Sequence, residues 1–93
     1  MGFEWDDAKD IANTAKHHLS FYEAQEAFFD KKRLVLTDNK HSLGEKRHFC
    51  IGKTTIGGIA TVVFTTRGSM IRIISAGYWR KGKKLYEKHN QLH

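Results

Sequence analysis

The run Thr65-Thr66-Arg67-Gly68-Ser69-Met70-Ile71-Arg72-Ile73-Ile74-Ser75-Ala76 constrains the fold more than any other part of the chain. It reads as the end of one strand, a turn at Arg67-Gly68-Ser69, and a second strand in which Arg72 sits among branched apolar residues. Period-2 alternation places Ile71, Ile73 and Ser75 on one face and Arg72, Ile74 and Ala76 on the other. An arginine and a serine thus emerge from an otherwise apolar surface, so the sheet is core and working surface at once. A charge held in such a run must be paired or face a wet groove.

The segment before it has helical period first and strand period later. Asp6 and Asp7 are good N-caps, and Ile11, Ala12, Ala15 and Leu19 recur at helical spacing, which predicts a helix over residues 6–18. Ser20 and Glu23 form an S-x-x-E capping box ahead of Phe21, Ala24, Ala27 and Phe28, predicting a second helix over 20–29. Strands are then expected at Arg33–Thr37, Glu45–Lys53 and Ile59–Thr66, with Arg47, Phe49 and Ile51 sharing a face. Short connections such as Gly57-Gly58 permit an antiparallel meander. After Tyr78-Trp79 the run Arg80 to His89 returns to helix, with Leu85 and His89 on one face and Gly82 weakening the first turn. The expectation is an α+β fold, ααββββα: two N-terminal helices packed on a curled four-stranded antiparallel sheet, then a basic C-terminal helix at one side. Residues 1–93 are read as one domain with a modest core.

Charge locates a partner. Residues 67–93 hold seven basic side chains against Glu87 alone, whereas the first 66 residues balance, so the C-terminal part carries the whole net charge of +6. This asymmetry points to an anionic partner, either nucleic acid or an acidic protein. The chain has no apolar run of membrane-spanning length and no signal-peptide pattern, and its one cysteine, Cys50, sits in a strand-like run. A cytoplasmic protein with no membrane partner and a buried, unreactive thiol is expected.

The histidines are scattered, and His17 and His18 point to different sides of a helix, so no metal site is expected. Neither a P-loop nor a dinucleotide-binding loop occurs, and no cofactor has an evident seat. What remains suits metal-free phosphodiester chemistry on RNA. Attack by a 2′-hydroxyl needs a base, an acid for the leaving oxygen, and fixed positive charge at the pentavalent phosphate. His41, Glu45, Arg47, Arg67, Arg72, Ser75 and Arg80 offer these groups, arginine suiting the charge role through its phosphate-matching fork. Taken singly, Glu45 and Arg47 also read as an exposed strand pair and Arg67 as a hairpin tip. Lys81, Lys83 and Lys84 read equally as a solvated helix face or a phosphate track. Tyr78-Trp79 beside them has the choice of stacking on a base or burying against the sheet, and burial is favoured for Trp79.

Phe3-Glu4-Trp5-Asp6, Lys9, Asn13, Lys16-His17, Phe21 with Ala24 and Phe28, Asp30, Asp38 to His41, Glu45 with Arg47, Ile51-Gly52, Thr65 with Arg67, and Ile71 to Ala76 together resemble a BrnT-type toxin. The resemblance covers nearly the whole chain. It implies a RelE-like fold and a ribonuclease that arrests translation by cutting RNA. It also implies a genetically linked ribbon-helix-helix antitoxin that neutralises the toxin by contact, with operator DNA bound only by the complex. Lys16, His17, His41, Glu45, Arg47, Arg67, Arg72 and Ser75 match the family's polar pattern. Where many members carry arginine after the Ile-Ser-Ala triplet this chain has Gly77, and Arg80 is the candidate to supply that charge. On this reading Glu45 or His41 is the base, Arg67 and Arg72 clamp the phosphate, and Ser75 and Arg80 position it. Lys16, His17, Arg47, Lys81, Lys83 and Lys84 then contact RNA. A non-catalytic RNA-binding module and a module that only docks an acidic antitoxin are the alternatives.

Overall fold

The computed structural model describes residues 2–40 and 44–91. The chain begins with a strand, β1 (Gly2–Glu4), followed by α1 (Asp7–His17) and α2 (Phe21–Ala24), the latter tightening into a 3₁₀ turn over Gln25–Phe29. Four longer strands follow, β2 (Leu34–Asp38), β3 (Arg47–Lys53), β4 (Ile59–Arg67) and β5 (Met70–Gly77), and then α3 (Arg80–His89). The sheet has five strands in the order β1-β5-β4-β3-β2, antiparallel except for β1, which pairs parallel to β5. The expectation of a four-stranded, wholly antiparallel sheet is therefore corrected. Three residues are too few to display alternation, and a parallel partner is not reached by a hairpin: α1, α2 and three strands separate β1 from β5.

Local chemistry sets the helix ends. The Asp6 carboxylate accepts from the backbone amides of Ala8 and Lys9 at 2.9 and 3.1 Å, capping α1. Ser20 Oγ accepts from the Glu23 amide at 3.1 Å and donates to the Glu23 carboxylate at 2.9 Å, so the box closes through the hydroxyl. α1 and α2 are tied together where Asp10 accepts from the Phe21 amide at 2.8 Å.

The sheet has a helical layer on each face. Leu19, Phe21, Ala24 and Ala27 pack against Cys50, Ala60, Val62, Phe64, Ile71, Ile73 and Ala76, with Phe28 edge-on to Phe64 at 5.0 Å. Cys50 is fully buried there, and burial pushes its thiol up to about 12, as befits a small core residue. The alternate residues Ile51 and Ile59 face the other way and meet Tyr86 of α3, with Leu34 and Leu36 alongside. The Tyr86 hydroxyl donates to Asp30 at 2.6 Å, fixing α3 to the loop after α2.

Close approach of α3 depends on Gly82. A Cβ built there would overlap the Thr61 hydroxyl, which is buried and has no hydrogen-bond partner among the described residues. Gly82→Ala is expected to lower stability by about 1–3 kcal/mol through this overlap, despite the better helix propensity of alanine. Equilibrium denaturation of the two proteins checks it.

One irregularity re-aims a candidate residue. Val63 opposes Ser75 while Phe64 opposes Ile73, so Ile74 is a bulge without a partner on β4. Beyond it the alternation changes phase: Ala76 joins Ile71 and Ile73 in the helix-facing core, and Ser75 moves to the face of Arg72. The sequence pattern had placed Ser75 with Ile73 and Ala76 with Arg72. Simple period-2 counting does not survive an inserted residue.

Candidate active site

α3 covers only part of its face of the sheet. Beyond its reach, near the β4–β5 hairpin, the strands present a row in which Asp38 opposes Arg47 and Thr65 opposes Arg72, with Arg72 opposite Glu4 on β1. Lys9, Glu45, Arg47, Thr65, Arg67, Arg72 and Ile74 line a polar cavity of about 120 Å³ here, several times what one water needs. Four of the residues read as catalytic or RNA-binding from sequence, Glu45, Arg47, Arg67 and Arg72, thus meet in one place. Gly68, at φ +60°, turns the hairpin that carries Arg67.

Ion pairs order the cavity, among them Arg67 with Glu45 and Arg72 with Glu4. Arg67 Nε and an Nη donate to the two Glu45 carboxylate oxygens at 2.9 and 3.0 Å, a fork-to-fork pair with both side chains half exposed. Arg72 donates to Glu4 at 2.7 Å, with both partners about two-thirds buried at 26% and 33% side-chain exposure. The Thr65 hydroxyl donates to the Lys46 carbonyl at 2.8 Å, holding the start of β3 on β4. The Arg67 hydrogen bond holds the Glu45 carboxyl below its ordinary 4.5; slight desolvation opposes this, and the charges of Arg67, Arg72 and Arg47 reinforce it. Glu45 in turn raises Arg67. The site is an ionised carboxylate in a field of guanidinium groups. Two of its four lone-pair positions accept from Arg67, which leaves capacity for a substrate hydroxyl.

The other sequence candidates lie elsewhere. Ser75 is on the same face one row along β5, outside the cavity lining. Arg80 and Lys83 line a separate recess of about 530 Å³ with Lys53, Tyr78 and Trp79. Lys81 and Lys84 line a recess along α3 with Lys88, and Lys81 also borders the groove between α3 and the sheet. Lys16 is exposed in the last turn of α1, and His17 stands edge-on to the half-buried Trp79 at 5.4 Å. His41 falls outside the described residues.

An apolar groove of about 380 Å³ runs between α3 and the sheet and is lined by Leu36, Phe49, Ile51, Trp79 and Leu85 among others. It holds no acid–base set, so the smaller polar cavity is the candidate for chemistry. Sequence reasoning missed two contributors to that cavity: Lys9, and Glu4 on the unrecognised strand β1. Both appeared only as matching letters in the family resemblance. Among the described residues no group of three or more His, Cys, Asp or Glu side chains is placed to hold a metal ion, and no helix is long and apolar enough to cross a membrane.

Comparison with known proteins agrees with this frame. No curated protein matches the chain. A crystal structure of the Brucella abortus ribonuclease toxin BrnT is similar at 31% identity and a TM-score of 0.66, covering 83% of this chain and 94% of that one. Residues 5–83 match the sequence model of the family described as the ribonuclease toxin BrnT of type II toxin–antitoxin systems. The chain belongs to the BrnT family of ribonuclease toxins.

Proposed function

We propose that the polar cavity cuts RNA without a metal ion, by attack of a 2′-hydroxyl on the adjacent phosphate. The observation that carries this reading is the carboxylate of Glu45, held below its ordinary pKa and lining a recess of the sheet with Arg47, Arg67 and Arg72. Glu45 removes the 2′-hydroxyl proton. O2′ bonds to phosphorus, and the bond from phosphorus to O5′ breaks. Arg67 and Arg72 meet the charge that builds on the non-bridging oxygens. Arrival of the phosphate draws Arg67 from Glu45 and frees the carboxylate to act. Ser75 and Arg80 position the strand, and the basic residues of α3 gather RNA by charge.

Cleavage of this kind arrests translation, and the same basic surface attracts the acidic part of a ribbon-helix-helix antitoxin, through which alone the toxin meets operator DNA. Induced expression tests this. The parent is expected to stop growth with cleaved cellular RNA, and coexpression of the neighbouring gene's product to restore it. Arrest with intact RNA would contradict the reading.

The pH profile follows from Glu45. Its depressed pKa keeps the base ionised throughout the neutral range, so the acid limb of kcat/KM is expected to lie below 4.5. In Arg67→Ala the largest depressing interaction is gone, and the acid limb is expected to move up toward 4.5. An unchanged limb would remove Glu45 from the role of base.

A further inference from the structure

We infer that Lys9 is a catalytic residue of the cavity, the group that returns a proton to the leaving 5′-oxygen. The inference rests on the reading of this cavity as the cleavage site. The reaction needs an acid as well as a base, since O5′ leaves as an alkoxide unless it gains a proton. Each described side chain of the lining can be asked whether it has a proton to give. Glu45 is ionised and has none. The three arginines do not deprotonate in proteins. The Thr65 hydroxyl is committed to the Lys46 carbonyl at 2.8 Å. Lys9 alone combines a place in the cavity with a proton that an amine can release.

The fold explains how a helix on the far layer contributes. β1 is an edge strand that ends at Glu4 opposite Arg72, and the chain enters α1 two residues later through the Asp6 cap. The first turn of α1 therefore stands beside β5 just past the end of β1, where an exposed lysine reaches round the sheet edge to the lining that includes Ile74. The bulge at Ile74 lies on that same stretch of β5. The β1–α1 segment so supplies both Glu4, which holds Arg72, and Lys9.

The balance is complete: the Lys9 ammonium gives one proton to O5′, Glu45 takes one from O2′, and the products are a 2′,3′-cyclic phosphate and a 5′-hydroxyl. The test compares the parent, Lys9→Ala, Lys9→Arg and Arg67→Ala on an RNA oligonucleotide and on the same oligonucleotide with sulfur at the bridging 5′-position, a leaving group that needs no proton. Both Lys9 variants are expected to lose about 10²-fold or more in kcat on the oxygen substrate and to come within a few-fold of the parent on the sulfur substrate. Arg67→Ala is expected to be impaired on both.

Full activity of Lys9→Arg would make the role one of charge alone and overturn the inference. Equal deficits of the Lys9 variants on the two substrates would overturn it as well, and recovery by sulfur of a His41→Ala protein in place of them would assign the acid to His41. If Arg67→Ala also cuts at the parent rate, the site itself is misplaced, a failure distinguishable from that of Lys9. Substituting Lys9 leaves the α1 cap intact, because Asp6 accepts from its backbone amide and not its side chain.

Discussion

Arg67→Ala is expected to reduce kcat for RNA cleavage by about 10²–10³-fold, the range found when one preorganised donor to a developing oxyanion is removed. In the proposed mechanism Arg67 enters twice. Its fork would stabilise the phosphorane, and in the free protein it holds the Glu45 carboxylate through two hydrogen bonds. The loss should appear in kcat more than in KM, because the charge it meets is largest in the transition state. Folding should be little affected, since half-exposed ion pairs contribute little to stability. Purified proteins compared by cleavage kinetics and thermal melting check both parts. Parent-like cleavage by a folded variant would remove the cavity from the mechanism.

The largest effect on stability is expected at Asn13. This side chain is 7% exposed and makes three hydrogen bonds. Its amide nitrogen donates to the carbonyls of Leu19 and Ala76, each at 2.9 Å, and its oxygen accepts from the Ala76 amide at 3.1 Å. One residue thus closes the turn after α1 and staples α1 to the end of β5. Asn13→Ala leaves three backbone groups without partners in a buried place, and the cost is expected to be about 3 kcal/mol or more. Urea denaturation measures it, and a change below about 1 kcal/mol would show that water repairs the gap. Loosened seating of α1 should also lower activity in whatever protein remains folded, because Lys9 is carried on that helix.

What could be read from the sequence was what is local. Asp6 and Ser20 announce their helices because a cap is a contact between near neighbours, and the hairpins around Gly57-Gly58 and Gly68 show in short polar turns between apolar runs. The switch of α2 into a 3₁₀ turn, the pairing of β1 and the bulge at Ile74 depend instead on partners far along the chain. Glu4 and Arg72, the clearest case, form an ion pair across 68 positions. The candidate site divides the same way. Arg47, Arg67 and Arg72 were legible because they lie on the consecutive antiparallel strands β3, β4 and β5, whose register follows from the hairpins, and Glu45 because it stands two residues ahead of β3. Lys9 was not, because only the parallel crossover brings the start of α1 to that edge of the sheet. Arg80 and the α3 lysines attracted notice by charge density, which does not say where on the surface a charge will stand.

The central claim is that side chains of this cavity cut RNA by internal attack. The most direct measurement is the chemistry of the ends made from a defined RNA in excess chelator, beside the same RNA with a single 2′-deoxy nucleotide at the cut. Cleavage undiminished by the chelator, giving a 2′,3′-cyclic phosphate and a 5′-hydroxyl and blocked by the 2′-deoxy substitution, is the expected result. Cleavage that stops in chelator, or that leaves 5′-phosphate ends and tolerates the 2′-deoxy nucleotide, would contradict it.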